Sequence, residues 1–248
     1  MVAYGWTKER RVIANVEIVV IISADIEWRA VRQLFSEVEI EFSPFGEYFR
    51  KSIKSGNQEH KMVMFYGGWG KISAAASCQY AIDHWRPKLL VNLGTCGGLD
   101  GEIELGAIVL VERTIVYDIF DQMGDTDADI AYYTTELDLS WLQKPYPQEV
   151  TKGLLVSGDR DLHPGDINGL KRKFGAFAGD WESGAIAFVA QRNEVPCLIL
   201  RGVSDIVSEH GGQAYEDNGF FEESAKGILH NLMQTLPAWI GRADVFKD

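Results

Sequence analysis

The chain has 248 residues, 46% of them hydrophobic, which suits one large α/β domain with a sizeable core better than two small ones. Its formal net charge of −12 argues against nucleic acid or an anionic membrane as the main partner, while leaving room for a small anion in a locally positive pocket. The three cysteines, Cys78, Cys96 and Cys197, form no CxxC pair or Cys/His cluster and sit in apolar segments, so buried free thiols in a reducing cytoplasm are expected and a metal site is not.

Met1–Asn15 lacks the apolar run of a signal peptide and reads as an N-terminal extension ahead of a domain covering residues 16–248. Val16–Ser23 (VEIVVIIS) is the longest apolar stretch, far too short to cross a bilayer, and reads as a buried strand. A helix over Glu27–Ser36 follows, then a strand at Lys61–Tyr66. After a Gly-rich turn, Lys71–Trp85 places Ile72, Ala75, Ala76, Tyr80 and Ile82 at helical spacing. Strands are expected at Leu89–Leu93 and Ala107–Ile115. Tyr117–Gln148, rich in Asp and Tyr, reads as a surface excursion near the site or at a subunit contact. A strand at Gly153–Val156, a helix at Ser183–Asn193, a buried strand at Val195–Val203 and a closing amphipathic helix at Asp217–Ile240 complete the chain. Apolar strands alternating with helices predict a single-domain α/β fold, a three-layer α/β/α arrangement around a mixed sheet. Functional residues of such folds gather at strand C-terminal ends.

Five segments carry candidate chemistry. Asn92-Leu93-Gly94-Thr95-Cys96-Gly97-Gly98 closes a strand; its glycines allow close backbone approach to an anion or a ribose hydroxyl, although a plain tight turn explains them equally well. It is neither a Walker loop nor a dinucleotide fingerprint. Gly179-Asp180-Trp181-Glu182-Ser183 opens a helix that Asp180 could cap, which leaves Trp181 unexplained. Arg201-Gly202-Val203-Ser204-Asp205 ends an apolar strand on a carboxylate suited to general-acid work, or to capping a turn. Val156-Ser157-Gly158-Asp159-Arg160-Asp161-Leu162 and Gly67-Gly68-Trp69-Gly70-Lys71 follow other strands and are weak alone.

In this order, the segments resemble the superfamily of purine nucleoside and uridine phosphorylases and of methylthioadenosine/S-adenosylhomocysteine nucleosidases, over roughly residues 16–236. The resemblance implies a nucleoside phosphorylase-like fold binding a small-molecule purine nucleoside, with no metal or organic cofactor, and a homodimer. It implies that Glu182 holds the ribose hydroxyls, Asp205 (beside Ser204) protonates the base at N7, Trp181 flanks base and ribose, and the backbone near Leu162 meets the base edge. Thr95, within the Thr95-Cys96-Gly97 turn, and Arg201 would lie near the nucleophile. Asn92 and the Gly68-Trp69-Gly70-Lys71 stretch follow the nucleosidase pattern, which implies water as the nucleophile.

Two residues depart from that pattern. Trp28 aligns with the Glu that activates water in nucleosidases, so Glu27 takes this role only if the turn differs. Asp161 stands where nucleosidases often carry an aromatic that stacks on the base. The alternatives are a phosphorylase, with phosphate as co-substrate gripped by Arg29, Thr95 and Arg201, and a catalytically weak nucleoside-binding module. Tyr215 or Phe220 is expected in the pocket lining, and Trp6, Trp141 and Trp239 are candidates for a subunit contact.

Overall fold

The structure, a computed structural model, describes residues 16–215 and 217–247; the N-terminal extension, with Trp6, lies outside them. The elements in chain order are β1 (Ile18–Ile22), α1 (Asp25–Leu34), β2 (Glu41–Phe42), β3 (Glu47–Ser55), β4 (Gln58–Tyr66), α2 (Gly70–Trp85), β5 (Leu89–Leu99) and β6 (Ile108–Val116). Then come α3 (Thr126–Tyr132), β7 (Thr135–Glu136), β8 (Thr151–Ser157), α4 (Ile167–Phe174), β9 (Ala178–Asp180), α5 (Ser183–Arg192), β10 (Cys197–Ser208), β11 (Gly211–Gly212) and α6 (Asn218–Ile240).

The expected mixed sheet between helical layers is present. Alternation along β1 shows how the layers form: Val19 and Ile21 face a cluster built with Ala74, Cys78, Ala185 and Ile186 of α2 and α5. Ile18, Val20 and Ile22 face the opposite cluster, with Trp28 and Val31 of α1 and Leu229 and Leu232 of α6. β1 pairs in parallel with β4 and β5, and β5 in parallel with β10. The sheet also curls: β5, β9, β8, β6 and β10 are linked in that order, and β10 returns to β5. In this closed ring β8 and β9 run antiparallel to β5 and β10, so the ends of β8 and β9 come against the middle of β5 and the bulged part of β10, beside the end of β1.

Several boundaries differ from the sequence reading. β5 and β10 run on through Leu99 and Ser208, so the Gly94–Gly98 segment and Asp205 lie inside strands rather than in turns after them. Glycine runs and a lone Asp look like turn signals, but here β9 and β10 supply ladder partners on both sides of β5. The half-exposed strand β3 and the three-residue β9 have too little periodicity to be seen. The Tyr117–Gln148 excursion holds α3 and β7. Trp239 is wholly buried against Tyr146 and so offers no contact surface, while Trp141 packs half-buried at the same cluster. All three cysteines are buried and unpaired.

Gly202 is where β10 passes under α6. A Cβ there would sit 2.8 Å from Cγ1 of Ile228 and nearer still to its Cγ2. Gly202→Ala is expected to destabilise the fold by about 1–3 kcal/mol through overpacking, read as a lower urea midpoint with an unchanged m-value.

Candidate active site

Around the mouth of the ring lies a cavity of about 270 Å³. Ala24 and Glu27 line it from the start of α1, Trp69 from the turn before α2, and Thr95, Cys96 and Gly97 from β5. The segment after β8 adds Arg160, Asp161 and Leu162, and β9 with its following turn adds Gly179, Asp180, Trp181 and Glu182. Ser204, Asp205 and Val207 of β10, with Tyr215 and Phe221, complete the wall. The sequence-predicted residues Asp205, Glu27, Glu182, Trp181, Thr95, Cys96, Gly97, Leu162, Asp161 and Ser204 therefore converge on one cavity.

Glu27 is at the third position of α1, and the helix turns it inward to near-complete burial. One carboxylate oxygen accepts the backbone N–H of Thr95 at 2.6 Å and its hydroxyl at 2.8 Å; the other accepts the N–H of Ala24 at 3.2 Å. Close approach needs Gly94, since a Cβ there would lie 2.7 Å from Glu27 Oε1. Trp28 points the other way, stacked on Tyr66 and donating its Nε1–H to Glu47 at 3.0 Å. Glu27, and not Trp28, therefore faces the cavity.

Arg201 is fully buried and lies behind the cavity wall rather than in it, across Gly94 from Glu27. Its Nε donates to Ser183 Oγ at 3.0 Å, and Nη2 to Asn92 Oδ1 at 2.7 Å and Asp180 Oδ2 at 3.0 Å. Nη1 reaches the Thr95 carbonyl at 3.4 Å. Glu182 lies 3.7 Å from Nη2, with its other oxygen accepting the N–H of Gly70 at 3.0 Å. Arg29 is exposed on the outside of α1, away from the cavity, so the clamp expected of Arg29, Thr95 and Arg201 does not assemble.

Asp180 accepts hydrogen bonds from Ser157 Oγ at 2.6 Å and from the backbone N–H of Ser183 at 3.1 Å, and also from the Ser183 hydroxyl. It steadies the first turn of α5, whose N-cap is Glu182. The weak sequence motifs find their purpose here. Asp159 accepts the N–H of Lys71 at 2.6 Å, pinning the start of α2, and the Lys71 ammonium pairs with Asp118. Tyr117 lies close behind Gly158, near Arg160 and Asp161, but no residue of the Tyr117–Gln148 excursion lines the cavity.

A register shift between Val203 and Asp205 makes a bulge in β10, so that consecutive residues Ser204 and Asp205 both line the cavity. Ser204 Oγ donates to Asp205 at 2.8 Å. Burial raises the Asp205 pKa, opposed by the Ser204 hydrogen bond and helped by the charge of Asp161. Burial pushes Glu182 up to about 8, with Arg201 and the Gly70 N–H opposing, and Asp180 and Glu27 reinforcing. Among the described residues lining the cavity, five are carboxylates; the cation is Arg160, tied to Asp166 at 2.8 Å. Trp69 packs edge-on against Trp181, ring centroids 5.3 Å apart, forming an aromatic wall beside Glu182.

A family model described as Phosphorylase superfamily matches residues 17–236. The chain belongs to that superfamily. Among its relatives, a 5′-methylthioadenosine/S-adenosylhomocysteine nucleosidase of Maridesulfovibrio salexigens is 30% identical over 180 residues, 68% of this chain and 78% of the relative. One of the same name from Bacillus cytotoxicus is 25% identical over 88% of this chain and 97% of the relative. Among solved structures, a Streptococcus pneumoniae nucleosidase with the transition-state inhibitor MT-ImmA superposes with a TM-score of 0.70 at 22% identity. That match covers 91% of this chain and 99% of the other, and it shows a common fold.

For this superfamily member, sequence reasoning missed Ala24, Trp69, Arg160, Gly179, Val207 and Phe221 in the lining, and treated Asp180 only as a cap. Tyr215 is in the wall as expected; Phe221 takes the place offered to Phe220, which faces a separate groove. The aromatic pair could have been sought from Trp69 and Trp181, each flanked by glycine and a charged residue; the others carry no local signal.

The raised pKa of Glu182 has a consequence for stability. Between its ordinary value of 4.5 and about 8 the folded state holds a proton that the unfolded state has released, so this group's contribution to stability falls as pH rises through that window. Glu182→Gln removes the dependence. The melting temperature of the variant relative to wild type is expected to rise from pH 5 to pH 8; a constant difference would contradict the raised pKa.

Proposed function

We propose that this protein hydrolyses the N-glycosidic bond of a purine nucleoside of the adenosine type, with or without a 5′-thio substituent, releasing free base and the ribose moiety. The observation that carries this reading is the placement of three buried carboxylates, Glu27, Glu182 and Asp205, around one cavity on separate elements. Asp205, whose burial favours its acid form, gives its proton to N7 of the base. The bond from C1′ to N9 then breaks, with its electron pair leaving on the base. The ionised form of Glu182, which the positive charge developing on the sugar favours, accepts hydrogen bonds from the ribose 2′- and 3′-hydroxyls and offsets that charge. Glu27, oriented by Thr95 and Ala24, takes a proton from the water that attacks C1′. Trp181 packs against the nucleoside, and the backbone at Leu162 borders the base.

Water is favoured over phosphate as the nucleophile because the cavity wall is acidic and Arg201 has its donors engaged within the fold. A phosphate dianion would face the carboxylate of Glu27 with no free guanidinium to meet it. The proposed chemistry calls for no cofactor. Among the described residues no group of three His, Cys, Asp or Glu side chains could hold a metal ion, and no helix is long and apolar enough to cross a membrane. We further propose a cytoplasmic homodimer in which residues 16–248 form the catalytic domain and Met1–Asn15 an extension outside it.

Release of adenine from 5′-methylthioadenosine is expected at equal rates with and without phosphate; strict dependence on phosphate would establish the phosphorylase reading instead. Glu27→Gln is expected to lower hydrolysis by about 10²–10⁴-fold, as is usual on losing a positioned base. Asp205→Asn, assayed by the same release of base, should be similarly impaired; unchanged turnover would refute the acid role.

A further inference from the structure

The end of the cavity formed by Asp205 holds a carboxylate that the proposed chemistry leaves unused. Asp161 lines the cavity one residue before Leu162, and among the described residues it makes no hydrogen bond or ion pair. Its surroundings are built. Leu162 lies over two paired glycines of β5 and β9: a Cβ on Gly97 would lie 3.1 Å from Leu162 Cδ1, and one on Gly179 2.8 Å from Cδ2. The phenol of Tyr215 donates to the Leu162 carbonyl, tying the segment after β8 to the one after β11. That hydrogen bond anchors the residue that follows Asp161. The charge of Asp161 is felt by both Asp205 and Tyr215, whose proton affinities it raises, so the three groups share one end of the cavity.

We infer that Asp161 is a specificity-determining residue: its carboxylate accepts an N–H of the 6-amino group of the base whose N7 is served by Asp205, selecting 6-amino over 6-oxo purines. The inference rests on the hydrolase reading and deepens it. In a purine the C6 substituent lies next to N7, so a second carboxylate beside Asp205 meets that substituent. An ionised carboxylate only accepts hydrogen bonds. It pairs with the amino group of adenine and opposes the lone pairs of a 6-oxo group, which adds rejection to attraction. As N7 gains its proton the base becomes cationic and its amino group a stronger donor, so the contact strengthens as the bond to C1′ breaks.

The test is Asp161→Asn, an isosteric change at an exposed side chain without partners, whose amide can donate to a 6-oxo group. The readout is kcat/KM for adenosine and inosine in wild type and variant. The adenosine-to-inosine preference is expected to fall by about 10–100-fold in the variant, the range for losing a charge-assisted hydrogen bond. Part of that fall should be a gain on inosine. An unchanged ratio, or an equal loss on both substrates, would overturn the inference and reduce Asp161 to a structural or general electrostatic role. A wild-type preference for inosine would overturn it too, because the carboxylate would then be reading N1–H. If wild type released no base from any nucleoside, the hydrolase reading would fail on its own account. Binding of free adenine and hypoxanthine to both proteins then decides the role of Asp161 by the same ratio, without turnover.

Discussion

The site depends on one buried guanidinium. Arg201 sits on β10 and holds Asn92 of β5, Asp180 of β9 and Ser183 of α5, three elements widely separated in sequence. A fully desolvated charge must be matched donor by donor, and removing one partner of such a pair costs about 3–5 kcal/mol. That demand makes the arrangement all-or-none. Asn92 also donates to the carbonyl of Ile21 at 3.0 Å, so the network extends into β1 and hence to the turn that launches Glu27. Gly94 lies between Arg201 and Glu27, where a Cβ would collide with both.

Around this cation the acids acquire different characters from their surroundings. Asp180 takes the close ion pair and four further donors, and serves the framework. Glu182, farther from the guanidinium and deeply buried among other carboxylates, is pushed towards holding a proton and is left open to the cavity. Asp205 accepts a single hydroxyl, that of Ser204, and burial tilts it towards the acid form. Glu27 is held by backbone and side-chain donors from two elements, which fixes its direction. Groups of nearly equal intrinsic acidity thus acquire different characters from what each one touches.

The glycine-rich and Ser-Gly-Asp segments act one step behind the cavity. The N–H groups at the start of α2 go to Glu182 and Asp159, joining that helix end to β8 and to the turn before α5. Ser157 accepts the N–H of Gly184 at 2.8 Å while donating to Asp180, so β8 and α5 are braced on the same carboxylate. Exposed donors at a helix start are natural anion sites, and here the anions are the protein's own side chains.

Much of the site was legible in the sequence. The apolar strands, their alternation with helices and the order of the motifs determined the fold class and picked out segments from which ten of the eleven candidate residues line one cavity. Only the tertiary structure decided the rest. Whether Glu27 or Trp28 faces inward depends on where α1 begins, and one residue of helix turns a side chain by about 100°. Whether Arg201 meets a ligand or the framework depends on β5, β9 and α5 closing around it. Asp161 lies far from Asp205 and Tyr215 in the chain and shares no pattern with them; the three become one surface only when the sheet curls and brings the segment after β8 to the bulge of β10. Local spacing reports the direction of a side chain relative to its own element, and a ring of strands determines which other elements it meets.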